Sequence, residues 1–293
     1  MELISSTGIY HDIPIDRYHG EEICVSPSIS VSGIKAILDC PLRFWHSSAL
    51  NPDRDPPKSD ALRFGAAVHM SLTHPVEFAQ KVRTWGRFDA KTEMERAAHT
   101  AAGGIALREK EYADLTGMLD AIRVDPLTSR YYGQPGYVEQ TLVYKDPATG
   151  IFIRSRPDFR PDSMKYAIDY KTAASASHAA FTRSCFNFGY HIQAAVLRDS
   201  AHFCLGQAPD HVLFTAQEKS PPYIVGTYFM SDEGINIGRM MVAKALRIYA
   251  ECLSKGVFPG YTPEPTKMLV PSWIEWSLKD DDQIDTADMA PPK

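Results

Sequence analysis

The chain has 293 residues, 44% of them apolar and 23% charged, with a formal net charge of −5. This is the make-up of an ordinary soluble globule, long enough for one large domain or two modest ones. The negative balance argues against a protein that coats nucleic acid by bulk positive charge, but allows a local basic groove around an acidic, cation-binding centre. No apolar run approaches the ~20 residues of a membrane span, and the opening MELISSTG lacks the basic and apolar regions of a secretory signal, so a cytosolic protein is expected.

The elements follow in chain order. Residues 28–39 read as a capped helix, and 40–45 as a second helix opened by Pro41. Residues 51–59, rich in Pro and Asp, form a loop. Leu62, Ala66 and His69 recur at helical spacing up to about Leu72, and 74–82 suggests a short helix. The signal weakens over 85–104, with one helix around 92–102. Over 108–124, Tyr112, Leu115, Leu119 and Ile122 fall on one side of an amphipathic helix. The period then changes. Residues 137–144 alternate as a strand, 145–150 read as a turn, 151–159 as the returning strand and 166–171 as a third. Helices are expected at 177–183 and 190–205, strands at 211–216 and 223–229, and a long Ser-capped helix at 231–255.

The expected fold is α/β: a mixed central sheet of about five strands flanked by helices, with a helical N-terminal elaboration. Residues 1–278 read as one domain, mainly helical over 1–130 with an α/β core at 131–258. The Asp-rich residues 279–293 read as a disordered acidic tail. The five cysteines, Cys24, Cys40, Cys185, Cys204 and Cys252, contain no C-x-x-C pair. They support neither a disulfide framework nor a zinc site and read as buried or incidental thiols.

The segment from Arg156 to Thr172 carries the chemistry. Asp158 ends one apolar run and Asp169 another, and Lys171 follows two residues later. On a strand, Asp169 and Lys171 share a face while Tyr170 points to the other. Two carboxylates can hold a hard divalent cation through oxygen, and a lysine beside them can orient or help deprotonate an attacking water. That is equipment for metal-assisted hydrolysis of a phosphodiester. A lone histidine on an apolar helix face, such as His69, is ordinarily a satisfied core residue; Gly65, one turn earlier, leaves room for close packing or substrate approach.

These residues resemble the PD-(D/E)XK nuclease superfamily, in particular the RecB-like branch with the RecE-type (exonuclease VIII) nuclease domains and their phage relatives. Ser-Ile-Ser at 28–30 and Cys-Pro-x-x-Phe at 40–44 are similar to the opening helices of that branch. Gly65-Ala-Ala-Val-His69 matches its G-x-x-x-H motif. Arg156-Pro-Asp158 and Asp169-Tyr-Lys171 match its D…(D/E)xK pair, and Tyr190-His-Ile-Gln193 its Y-x-x-Q helix. The likeness runs from about residue 25 to 255, with Asp in place of Glu as the second acid.

The resemblance implies that Asp158 and Asp169 share the metal, with the Tyr170 carbonyl completing its shell, and that His69 serves a second ion. Glu139 is either a further ligand of that ion or the partner of a surface cation. Lys171 positions the water, and Gln193 and Tyr190 contact the scissile strand, orient Lys171 or, for Tyr190, pack in the core. Arg63, Arg154 and Arg156 are either phosphate contacts or ordinary arginines, and Trp85, Phe88, Trp273 and Trp276 either a base-stacking wedge or core residues. The implied activity is a Mg²⁺-dependent 5′→3′ exonuclease on double-stranded DNA ends, using two ions with Mn²⁺ as a substitute and no iron–sulfur cluster. A homo-oligomeric ring, a tetramer foremost, and a single-strand annealing partner of the RecT type are implied with it. The alternatives are an endonuclease on the same fold and a catalytically inactive DNA-end-binding protein.

Overall fold

The computed structural model describes residues 2–11, 13–20, 22–54, 60–262 and 264–271. The expected acidic tail, Trp273, Trp276 and most of the 51–59 loop lie outside the described residues. The N-terminal part contains β1 (Gly8–Tyr10), α1 (Ile15–Gly20), β2 (Ser28–Ser30), α2 (Val31–Asp39), α3 (Pro41–Ser47), α4 (Asp60–Thr73) and α5 (Pro75–Lys81). It continues through β3 (Val82–Trp85), α6 (Ala90–Ala101), β4 (Ile105–Arg108), α7 (Glu109–Val124) and α8 (Pro126–Tyr132). The remainder holds β5 (Gly136–Val138), β6 (Thr141–Lys145), β7 (Phe152–Ser155), β8 (Phe159–Pro161), β9 (Tyr166–Ala173), α9 (His178–Asn187), α10 (Tyr190–Leu205), β10 (His211–Glu218), β11 (Val225–Phe229) and α11 (Asp232–Lys255).

The strands form a five-stranded sheet in the order β11-β10-β9-β8-β5, a four-stranded sheet β1-β6-β7-β2 and a two-stranded pair β3-β4. The five-stranded sheet is mixed: β9 and β10 run parallel, while β8–β9, β10–β11 and β5–β8 are antiparallel. The expected α/β class holds, but the expected three-stranded meander does not. The strand at 137–144 breaks between β5 and β6, and the strand at 151–159 breaks between β7 and β8, so the two halves of each join different sheets. At the first break Glu139 has φ of 47°, a left-handed conformation uncommon for a residue with a side chain. At the second, Pro157 has no N–H to give to a ladder. The two breaks lie side by side, with the Glu139 N–H donating to the Asp158 carbonyl at 3.2 Å.

Two N-terminal strands complete the four-stranded sheet, β1 against β6 and β2 against β7, so residues 1–130, expected to be mainly helical, also contribute strands. Helix α2 starts as expected from a Ser cap, but at Ser30 rather than Ser28; its Oγ accepts from the Gly33 N–H at 3.3 Å. Helix α7 buries Leu115, Met118 and Ile122, while Tyr112 is 41% exposed and stacks on Phe78 instead of joining the core. The expected stripe holds at Leu115, Leu119 and Ile122, which pack with Ala67 and Val68 of α4 and with Tyr170, and Tyr112 lies at its exposed edge.

The core is layered around α10. Ile192 and Val196 pack on Tyr144 and Ile153 of the four-stranded sheet, and Ala194, Ala195 and Leu197 pack on Val212 and Phe214 of the five-stranded sheet. Helix α11 covers α10 at close range: a Cβ on Gly238 would lie 2.2 Å from the His191 carbonyl oxygen. On the opposite face of the five-stranded sheet, Tyr170 packs with Ala67, Val68 and Leu115 from α4 and α7. Cys24, Cys40, Cys185 and Cys252 are buried and Cys204 partly so, all as free thiols. Among the described residues no helix is long and apolar enough to cross a membrane.

Candidate active site

The two strand breaks and strand β9 bring the acids together. Asp158 follows Pro157 at the gap between β7 and β8. One of its oxygens, Oδ2, accepts from the Tyr170 N–H at 2.6 Å. The other, Oδ1, lies 2.7 Å from His69 Nε2 on α4. His69 Nδ1 lies 3.1 Å from Glu139 Oε1, so one imidazole ties together the acids of both breaks. A second histidine, His74, reaches the other Glu139 oxygen at 3.5 Å from the start of α5. The open side of α4 bears out only half of what Gly65 suggested. A Cβ there would meet nothing within 4 Å, so the glycine leaves space without serving a close packing contact.

Asp169 and Lys171 do share a face of β9, and Lys171 Nζ pairs with Asp169 Oδ2. Gln193 Nε2 on α10 donates to Asp169 Oδ1. Tyr170 turns to the opposite face, where its hydroxyl donates to Gln217 Oε1 at 2.7 Å; it meets the site through its backbone N–H. Tyr190 combines core packing with a contact to Lys171. It stacks on Phe214 at 5.5 Å and lies 5.0 Å below the Lys171 ammonium.

Burial and charge set the protonation states. Burial alone would strip the proton from His69, but the charge and hydrogen bond of Asp158, with Glu139 and Asp169, more than reverse this and raise its pKa from 6.5 to about 9. Asp158 is buried, yet His69, Lys171 and the Tyr170 N–H hold its carboxyl below the ordinary range. Asp169 goes the other way, pushed up by burial and by the neighbouring Asp158 charge against the pull of Lys171. Burial also works against the Lys171 ammonium, and Asp169 and Asp158 overcome it, so its pKa is raised.

The three arginines that read as phosphate contacts or ordinary residues each make contacts within the protein. Arg154 is 7% exposed and donates to the Tyr18 carbonyl at 2.6 Å. Arg156 donates to the Ile13 carbonyl at 2.8 Å and to Thr141 Oγ1 at 2.9 Å. Both guanidiniums lie over the Tyr18 ring, so they fasten the N-terminal segment to the core. Arg63 pairs with Glu111 Oε1 at 2.7 Å. With Arg96 and Arg108 it surrounds the Phe88 ring, their guanidinium carbons lying 5.1, 4.3 and 4.5 Å from its centroid. Trp85 packs on His99 at 5.4 Å, so neither aromatic stands as a free wedge. Two residues without any sequence expectation do reach the site. His74 is one. The other is Lys35 of α2, whose ammonium lies 5.8 Å from the Tyr190 ring centroid and whose pKa is lowered by burial and by Lys171.

The donor set fits a hard divalent cation: three carboxylates and an imidazole converge, and the buried Asp169 Oδ2 is paired with the Lys171 ammonium. Among the described residues no three His, Cys, Asp or Glu side chains stand in a ready ligating cluster. The reason is geometric, since the His69 ring sits between Glu139 and Asp158 and the Lys171 ammonium lies against Asp169. Two cavities, of about 380 and 680 Å³, lie elsewhere and are lined by none of these five acids and bases. The site is instead reached from the surface, with the His69 and Lys171 side chains 29% and 21% exposed.

A mixed sheet with Asp158 at a strand break, Asp169 and Lys171 on the adjacent strand and Gln193 on the helix behind them defines the PD-(D/E)XK nuclease class. The sequence matches the model of the family described as PDDEXK-like domain of unknown function (DUF3799) over residues 30–266, and the chain belongs to that family. Among solved structures it is similar to a protein from Eubacterium rectale provisionally designated an exonuclease. The TM-score is 0.63 at 16% identity, covering 91% of this chain and 98% of that one, which is a likeness of fold. Weaker similarities are to a phage-related exonuclease from Haemophilus somnus 129PT (TM-score 0.34, 12% identity, 78% and 96% covered) and to an alkaline exonuclease from Laribacter hongkongensis (0.25, 14%, 67% and 97%). No curated protein sequence matches the chain. Family and fold together support a nuclease.

Proposed function

We propose that the protein is a divalent-metal-dependent deoxyribonuclease that degrades double-stranded DNA from its ends in the 5′→3′ direction, leaving 3′ single strands for recombination. The observation that carries this reading is the convergence of His69, Glu139, Asp158, Asp169 and Lys171, supplied by four separate stretches of chain. Asp158 and Asp169, with the Tyr170 carbonyl, would hold one cation, and His69 and Glu139 a second. Mg²⁺ suits the oxygen-rich set and Mn²⁺ would substitute. When bound, the cations supply Lewis-acid stabilisation of the phosphate and a more acidic water.

The chain's own groups do the rest. Lys171, its charge held by two carboxylates, orients the attacking water and stabilises the oxyanion that develops on phosphorus. Gln193 fixes the Asp169 rotamer, and Tyr190 supports the lysine from below. The resemblance extends the proposal to a ring-shaped homo-oligomer, a tetramer foremost, acting with a single-strand annealing protein of the RecT type. The test is a linear duplex labelled on its 5′ or 3′ ends, beside a covalently closed circle, with Mg²⁺. Early release of the 5′ label and an intact circle are expected. Cutting of the circle would identify an endonuclease, and early release of the 3′ label would reverse the polarity.

A further inference from the structure

Phe188 lies in the turn between α9 and α10 and is 61% exposed, a large apolar ring left in water. The backbone beneath it is tightly held. Its own N–H donates to the Ser184 carbonyl at 2.9 Å, and the Gly189 N–H donates to the Phe186 carbonyl at 3.3 Å. From α2, Lys35 Nζ donates to the Phe188 carbonyl at 3.0 Å. Gly189 has φ of 66°, and a Cβ there would lie 2.8 Å from Lys35 Cδ, so the glycine is what lets the lysine close on the turn. The Phe188 ring is 6.0 Å from that of Tyr190. Tyr190 in turn has the Lys171 ammonium 5.0 Å and the Lys35 ammonium 5.8 Å from its centroid. An exposed aromatic on a rigid turn thus stands one ring away from the catalytic lysine, with a second ammonium alongside.

We propose that Phe188 is a substrate-positioning residue, whose ring stacks on a nucleobase of the strand being cut while Lys35 holds the turn that presents it. This rests on the nuclease reading above. Stacking on an aromatic face tolerates any base, which suits an enzyme that must process successive nucleotides whatever their sequence. The neighbouring cations match the phosphate that accompanies the base, whereas an interface with another apolar surface would have to bury them. Phe186 and Phe229, the other exposed rings of this region, line the 380 Å³ cavity beside α9, and Phe188 does not. Phe188 therefore stands apart from that apolar cavity.

The test compares wild type, Phe188→Ala and Phe188→Trp on linear duplexes whose terminal nucleotides are either normal or abasic, with Mg²⁺. Phe188→Ala should lower kcat/KM on normal ends by about 5- to 100-fold, the range expected for loss of one stacked base. Phe188→Trp should restore most of it. Abasic ends should slow the wild type and add no further loss in Phe188→Ala. Equal losses on normal and abasic ends, a wild-type rate in Phe188→Ala, or a loss that tracks a change in sedimentation coefficient would each overturn the assignment. A duplex carrying 2-aminopurine at its end separates this from the wider reading. Fluorescence quenching on binding to wild type but not to Phe188→Ala supports stacking even without cleavage, and identical quenching by both refutes it. Absence of hydrolysis by wild type counts against the nuclease reading instead.

Discussion

Glu139 and Asp158, nineteen residues apart and each at the break of a strand, are joined twice: the Glu139 N–H donates to the Asp158 carbonyl at 3.2 Å, and both side chains hold the same His69 imidazole. The left-handed backbone at Glu139 is a strained choice for a glutamate, and strain of this kind is retained where the surroundings impose it, commonly at working sites. Splitting each strand between two sheets leaves a seam, and the acids occupy it.

The pairing of His69 with Asp158 gives the metal-free protein a pH signature. His69 is raised from 6.5 to about 9, so its stabilising contribution is complete below about pH 6.5 and is lost as the pH climbs through about 9. The melting temperature of the metal-free wild type should therefore fall across this window, and that of His69→Gln should fall less. A divalent cation that takes over the imidazole must displace its proton. Calorimetry at pH 7 in buffers of different ionisation enthalpy should show proton release on metal binding by wild type and less by His69→Gln. Parallel melting profiles and metal binding without proton release would contradict the assignment.

Asp169 is held by Lys171 and Gln193 within the site and contributes to no apolar cluster. Asp169→Ala should abolish cleavage while binding of a linear duplex, followed by anisotropy, survives. Loss of both, with a lowered melting temperature, would mean that the carboxylate is structural.

The proposed mechanism gives Lys171 the work of positioning water and stabilising charge. Lys171→Ala should reduce the single-turnover cleavage rate by on the order of 10²–10⁴-fold, as removal of a general acid–base or electrostatic group does. A rate within a few-fold of wild type would remove this lysine from the chemistry.

The approach of α11 to α10 depends on a missing side chain. Because a Cβ at position 238 would meet the His191 carbonyl oxygen at 2.2 Å, Gly238→Ala must push the two helices apart. Overpacking of this kind costs about 1–3 kcal/mol, read as a lower denaturation midpoint in urea. An unchanged midpoint would show that the helices part without penalty.

Much of the helical framework is legible in the sequence because caps and periodicity are local signals. Helix α10 begins and ends where its pattern does, and the Ser231 cap precedes α11 as expected, with its Oγ accepting from Gly234 at 3.1 Å. The strand breaks are not legible. Strand-forming residues stand on both sides of Glu139, and nothing in a glutamate announces a left-handed backbone. Strands β1 and β2 have three residues each and are defined by distant partners, which no local pattern can reveal. Motif spacing pointed to Asp158, Asp169, Lys171 and His69, whereas His74 and Lys35 arrive from other elements with no spacing to betray them. The arginines mislead for a related reason: a sequence displays a guanidinium's charge, but not the carbonyls that occupy Arg154 and Arg156.

The most direct measurement is single-turnover release of nucleotides from a linear duplex by wild type and Asp158→Ala, with Mg²⁺, with Mn²⁺ and with a chelator. If His69, Glu139, Asp158, Asp169 and Lys171 form one metal-dependent centre, the wild type releases nucleotides with either ion, the chelator stops it, and Asp158→Ala is inactive throughout. Release that persists in the chelator, or an Asp158→Ala variant as fast as wild type, would contradict that centre.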